Sequence, residues 1–268
     1  MHPDDTLAPM NPASDSALSI PLPAGAEDRR FGGILRLYGK IGFEHIRAAH
    51  GVVVGIGGVG SWAAEALARS GVGRLTLIDL DLVAESNLNR QAHATLANLG
   101  RNKVDAMRER ILSFAPDCVV DGVDDFVSTD NVTTVLPTEA TFVIDAIDKV
   151  NAKAGLVAHC RERGLPIYVC GGSGGKTDPT KLVTGDLAFT EHDALLAKLR
   201  LTLRRQYGFP RGDKKFKVMV VYCRQRQAEV PVDGGAGLNC AGYGSAMHMT
   251  ASMGLMAAGC ALDAVAAG

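Results

Sequence analysis

Three groups of residues in this 268-residue chain have the types and spacing for chemistry on a phosphate ester. The first is the glycine set Gly55, Gly57, Gly58 and Gly60, inside the stretch GVVVGIGGVGS that runs from Gly51 to Ser61. Glycine has no Cβ, so backbone N–H groups there can close on an anion, and a helix starting at the turn adds its unsatisfied N-terminal donors. The second is the acidic pair Asp79 and Asp81. It lies about 20 positions beyond the turn, where a carboxylate accepts hydrogen bonds from ribose hydroxyls. The third comprises Asn89, Arg90 and Lys103, followed by the carboxylates Asp145 and Asp148. A nicotinamide dinucleotide has no need of those cations, whereas a nucleoside triphosphate does, and a carboxylate beyond a strand end can hold magnesium against phosphates. Each residue also has a plainer reading when taken singly. The glycine turn serves an ordinary dinucleotide or close helix packing, Arg90 and Lys103 are surface charges, and Asp148 caps the helix that follows it.

Residues that far apart in sequence need a scaffold that collects them. The β-branched run before the glycine turn, followed by the apolar spacing of Trp62, Ala63, Ala66 and Leu67, predicts strand, turn and helix. Further strands are expected over Arg74 to Asp81, Thr141 to Asp148, Pro166 to Gly175, Asp178 to Thr190 and VMVVYCRQRQ from Val218, with helices over Gly100 to Arg110 and Val150 to Arg163. Alternating strands and helices imply an α/β fold with a mostly parallel sheet, additional C-terminal strands and an apolar C-terminal helix. In such a sheet, ligands bind beyond the carboxyl ends of the strands, which is where the candidate residues fall. The glycine-rich loop from Gly171 to Gly175 is expected to be mobile, either closing over substrate or standing as an exposed turn.

The net charge of -1 gives no global attraction to nucleic acid, so any basic footprint has to be local. One exists. Lys198, Arg200, Arg204, Arg205, Arg211, Lys214, Lys215 and Lys217 face only Asp213 between residues 198 and 217, eight basic against one acidic. Such a cluster suits a phosphate backbone, and Tyr207, Phe209 and Phe216 among the cations are candidates to stack on exposed bases. The bland alternative is a solvated charged face. Six cysteines without a CxxC pair read as reduced cytosolic thiols, with Cys240 a nucleophile candidate only because a glycine-rich stretch surrounds it. Residues 1–27 read as a disordered arm without a secretory signal, and 28–268 as one domain in which 176–240 is a basic, RNA-contacting extension. The apolar run from Gly242 to Leu262 is interrupted by His248, Thr250 and Ser252 and lacks a basic flank, so a buried helix is expected rather than a membrane span.

In order, GxGGxGS, DxDxV, SNLNRQ, GRNKVDA and DAID resemble the E1-like adenylating superfamily that includes ubiquitin-like-protein activating enzymes. RFGGILRLYG, DAIDKVNAKAGLVAHCRERG, GGSGGKTDPTK and LNCAGYGS narrow the resemblance to the tRNA threonylcarbamoyladenosine dehydratase family. The resemblance implies a Rossmann-like E1-type adenylation domain, a cytoplasmic homodimer, and ATP with Mg2+ as cofactors. It leaves open a monovalent cation and sulfur-transfer proteins as partners. It also implies cyclisation of N6-threonylcarbamoyladenosine in tRNA through an acyl-adenylate, with release of pyrophosphate and AMP. By position, the four glycines form the phosphate turn, Asp79 or Asp81 meets the ribose, Arg90 and Lys103 meet phosphate, and Asp148 is the magnesium-associated aspartate. Relatives that activate sulfur carriers have a second arginine where Gly33 stands here, with Arg30 or Arg36 as substitutes in this chain. Two other classes remain: an adenylating enzyme for a small ubiquitin-like or sulfur-carrier protein, and a non-catalytic nucleotide-binding scaffold.

Overall fold

The first strand is set by a valine run that can be buried on both faces. β1 (His50–Val54) is buried throughout, as a central parallel strand requires. In the computed structural model, which describes residues 29–227 and 243–268, it lies in the middle of a seven-stranded sheet ordered β3-β2-β1-β4-β5-β7-β6. The others are β2 (Arg74–Ile78), β3 (Val119–Val123), β4 (Phe142–Asp145), β5 (Ile167–Cys170), β6 (Leu182–Asp186) and β7 (Met219–Cys223). All pairings are parallel except β6 with β7, so the stretch expected to be an extension contributes the sheet's last two strands. The arm at 1–27 and Cys240 lie outside the described residues.

Helices cover both faces. On one side α1 (Gly32–Ala48), α2 (Gly60–Arg69), α3 (Lys103–Leu112) and α7 (Met247–Ala267) pack around Ile46, Leu67, Met107 and Met253. On the other, α4 (Val132–Val135), α5 (Val150–Arg163) and α6 (Ala194–Gln206) enclose Val132, Leu156 and Leu199. From β1 the chain goes outward through β2 and β3, then returns to β4 on β1's other side. Such a reversal opens a crevice at the carboxyl ends of the two central strands.

α7 is long and apolar enough to cross a membrane by length and composition, yet half of its most apolar window is buried inside the fold. Its seat depends on Gly254, where a Cβ would stand 2.2 Å from the Val59 carbonyl oxygen at the start of α2. Gly259, on the same helix, has open space around it. Gly254→Ala is therefore expected to lose about 1–3 kcal/mol by overpacking. Gly259→Ala should gain about 0.5–1 kcal/mol, because alanine gives up less backbone entropy in a helix. Thermal unfolding of the two variants should shift in opposite directions by a few degrees.

Candidate active site

The glycine turn is built by exclusion of side chains. Gly55 takes a positive φ of 86°, and a Cβ on Gly60 would lie 1.9 Å from the Gly55 carbonyl oxygen. The turn can close, and α2 can begin there, only without side chains at these points. The end of β2 is tied to the turn through Asp79: its Oδ2 accepts the Ile56 N–H at 2.6 Å and its Oδ1 the Asp81 N–H at 2.8 Å. Burial pushes the Asp79 carboxyl up, and the Lys103 ammonium opposes that rise. Lys103 is 5% exposed and holds Asp81 Oδ2 at 2.7 Å, with Asp79 Oδ1 at 3.9 Å.

Around these groups lies a cavity of about 440 Å³ at the carboxyl ends of β1, β2, β4 and β5. Gly55, Gly57, Gly58, Asp79, Asp81, Arg90, Lys103 and Asp148 all line it. A larger groove of about 880 Å³ runs along α1 and includes none of these strand-end loops. Two expected members stand back from the cavity wall. Gly60 supports the turn from behind, and Asn89 donates to the Ser245 carbonyl at 2.9 Å while accepting from Arg90 at 2.8 Å. Arg90 crosses Gly58, where an added Cβ would come within 3.2 Å of its Cγ and Cδ, and its guanidinium also holds the Ser86 carbonyl.

The two carboxylates after β4 separate. Asp145 is fully buried, and Lys153, equally buried, donates to its Oδ1 at 2.9 Å, to its carbonyl at 3.2 Å and to the Ile147 carbonyl at 2.9 Å. Asp145 is thus tied to the loop through Lys153 and is not part of the cavity wall. Asp148 is exposed on that wall. It does not cap α5: Lys149 occupies the cap position and no side-chain cap bond is made. One carboxylate on the cavity wall fits the way Mg2+ binds with a nucleotide, through one or two carboxylates plus phosphate oxygens.

The expectation of a mobile glycine loop is corrected here. Asp193 Oδ2 accepts the Gly172 N–H at 2.9 Å and Lys176 Nζ at 3.2 Å, and the Gly175 N–H reaches the Gly244 carbonyl, so the loop is a fastened wall. The stacking expectation is also overturned for two residues. Phe209 and Phe216 are each 3% exposed, with ring centroids 5.0 Å apart, and belong to the core. Arg200 donates to Thr190, and Arg204 donates to the Pro210 carbonyl while lying over Phe216. Lys198, Arg205, Arg211, Lys214, Lys215 and Lys217 are exposed. Arg30, a substitute for the missing arm arginine, pairs with Asp117.

Pattern reading overlooked Lys153, Lys176 with Asp193, and Phe126, which is 53% exposed at the cavity rim beside Val127. The signal for Lys153 was a lone lysine leading into the apolar run AGLVAHC. The free thiols Cys160 and Cys170 are buried and pushed up to about 12, which leaves them unreactive.

His93, 1% exposed in the same segment as Arg90, has neither ring nitrogen paired, and burial lowers it to about 4, helped by Lys103 and Arg110. In the unfolded chain it titrates near 6.5, so on acidification the unfolded state takes the proton first. His93 therefore costs nothing above pH 6.5, and stability falls between pH 6.5 and about 4. The loss reaches at most roughly 3 kcal/mol. Melting temperatures between about pH 7 and about pH 5 should fall less steeply in His93→Gln than in the wild type.

The ThiF family model matches residues 31–266. The tRNA threonylcarbamoyladenosine dehydratase of Haemophilus influenzae is 43% identical over 88% of this chain and 93% of its own length. That of Escherichia coli K12 is 44% identical over 87% and 92%. Among solved structures, E. coli tRNA N6-threonylcarbamoyladenosine dehydratase, TcdA, in complex with ATP superposes with a TM-score of 0.82 at 44% identity, covering 89% of this chain and 94% of that one. The same enzyme with AMP gives the same TM-score. With its E1-like nucleotide crevice and a match across nearly all of its described length, the chain belongs to the ThiF family, among the tRNA threonylcarbamoyladenosine dehydratases.

Proposed function

We propose that this protein uses ATP to cyclise N6-threonylcarbamoyladenosine in tRNA. The observation that carries the reading is the convergence of Arg90, Lys103 and Asp148 on one cavity with the glycine turn. That constellation suits a triphosphate whose α-phosphate is to be attacked. In the first step the threonyl carboxylate oxygen forms a bond to the α-phosphorus, and the bond to the bridging oxygen breaks with loss of pyrophosphate. The ureido group then attacks the resulting acyl carbon, the ring closes and AMP leaves, so the nucleoside loses one water overall. This scheme requires no enzyme thiol.

The protein's own residues position and stabilise. Backbone N–H groups of the glycine turn and the Arg90 and Lys103 cations face negative charge building on the phosphates, in a site where such preorganised donors are most effective. Asp148 would hold Mg2+, which supplies charge neutralisation on the phosphate oxygens. Binding both reactants in one cavity replaces a bimolecular encounter by an intramolecular one. The exposed cations between Lys198 and Lys217 are assigned to the tRNA backbone, and a tRNA substrate points to the cytoplasm. Exposed Leu37 and Ile41, 72% and 70% accessible on α1, suit contact with a second copy; the solution mass tests that homodimer.

Incubation with ATP and modified tRNA, followed by digestion to nucleosides, should show conversion to the product one water lighter, and a wild-type protein that leaves the nucleoside unchanged refutes the function. Arg90→Ala and Asp148→Ala should each lower kcat by about 10²–10³, as expected for removal of a preorganised charge-stabilising group. Lys198→Ala with Lys214→Ala and Lys215→Ala should weaken tRNA binding and flatten its salt dependence by about 0.7–0.9 in log–log slope for each phosphate left without a cation. Unchanged affinity and slope would remove these lysines from the interface.

A further inference from the structure

The cavity has two sides with different chemistry. Over β1, β2 and β3 lie the glycine turn, Asp79, Lys103, Arg90 and the Asp125–Val127 segment, which together suit a nucleotide. β5 stands two places from β1 across β4, about 10 Å away at ordinary strand spacing. The loop after β5 and the first turn of α6 bring Gly171, Gly172, Ser173 and Leu195 to the wall there, all uncharged. Asp148, after β4, stands between the two sides.

Resting on the function proposed above, we infer that the side walled by Gly171, Gly172, Ser173 and Leu195 receives the carboxylate-bearing arm of the modified nucleoside, and that the buried Asp193–Lys176 pair positions this wall. A carboxylate that must attack phosphorus loses nucleophilicity when an ammonium or guanidinium pairs with it. The arginine and the two lysines on the cavity wall lie elsewhere, at Arg90, Lys103 and Lys149. The acceptor side instead offers a hydroxyl and an aliphatic surface, matching the hydroxyl and methyl of a threonyl arm.

The wall is held firmly enough to position a reactant. Asp193 and Lys176 side chains are each 1% exposed. Besides its bonds to the Gly172 N–H and Lys176, Asp193 accepts the Leu196 N–H at 3.0 Å, which caps α6, and Lys176 also donates to the Cys223 carbonyl at 3.1 Å. Gly171 lies so near that a Cβ there would meet Asp193 Oδ2 at 2.4 Å. One carboxylate thus joins the loop after β5 to the helix whose outer face carries Lys198 and Arg205. RNA docked on that face and the arm entering the cavity would then be registered to the same rigid unit.

The test uses the full chain with ATP and modified tRNA. Leu195→Trp fills the acceptor side and should lower kcat/KM for tRNA by about 10²-fold, the loss expected from displacing a reacting group by about 1 Å, with ATP affinity within about twofold. Phe126→Ala is the reciprocal control and should weaken ATP binding while leaving the KM for tRNA unchanged. The double change Asp193→Asn with Lys176→Met strands no buried charge, and the single amide oxygen of asparagine can keep the Gly172 bond or the Leu196 cap but not both, so the loop after β5 is released from α6. It should lower kcat while the affinities for tRNA and ATP hold. Loss of ATP affinity in Leu195→Trp equal to its loss of turnover, or no change in either, overturns the subsite. A double variant with unchanged kcat overturns the positioning role. A wild type inactive on modified tRNA overturns function and subsite together.

Discussion

A Cβ on Gly60 would lie 1.9 Å from the Gly55 carbonyl oxygen, and the rest of the site depends on that missing atom. The close approach lets β1 turn straight into α2, aiming the helix's unsatisfied N–H groups at the crevice. Next to it, Gly58 leaves room for the aliphatic part of Arg90 and the methyl of Thr250, while the Val59 carbonyl receives Gly254 of α7. A single turn without side chains therefore fixes the cavity floor, the path of the cavity-lining Arg90 and the seat of the last helix. Packing and chemistry meet at one place, so a change there acts on both.

Three buried lysines extend this logic around the crevice. Lys103 holds the end of β2 through Asp79 and Asp81, Lys153 holds the end of β4 through Asp145, and Lys176 holds the loop after β5 through Asp193. They are 5%, 0% and 3% exposed. Desolvating such pairs costs nearly as much as their attraction returns, so they are poor sources of net stability. What they supply is a defined geometry for irregular backbone that no sheet or helix ladder holds. Lys103 alone of the three also lines the cavity, where its charge remains close to the glycine turn.

The glycine turn, the strand-end acids and the cations were legible in the sequence because each signal is local: a spacing, a β-branched run, a charge out of place. The sheet's parallel character followed from the alternation of strands and helices. Partnership was not legible. Asp145 and Asp148 lie three residues apart and read alike, yet one is sealed beneath the sheet end by Lys153 and the other faces the cavity. Phe209 and Phe216 carried the pattern of a stacking platform but close the core beneath α6, with Arg161 and Arg204 lying over their rings. The glycine loop read as mobile since glycine signals freedom, and the carboxylate that fastens it lies 21 residues away.

The cations divide by distance as well as by burial. From Leu195 at the cavity to Arg205 is about ten residues of helix, close to 15 Å at the usual rise per residue. That exceeds the screening length of about 8 Å at physiological salt, so charge on the far end of α6 adds little to the field in the cavity. Arg90 and Lys103, lying against the glycine turn and in the buried shell, are screened far less. Under the proposed function, the same residue type would serve two separable tasks: capture of a polyanion outside, sensitive to salt, and stabilisation of transferring phosphate inside, largely indifferent to it. Asp193 belongs to both regions mechanically and to neither electrostatically, because Lys176 neutralises it. Coupling between substrate capture and chemistry would therefore pass through the rigidity of the wall rather than through the field of the basic surface.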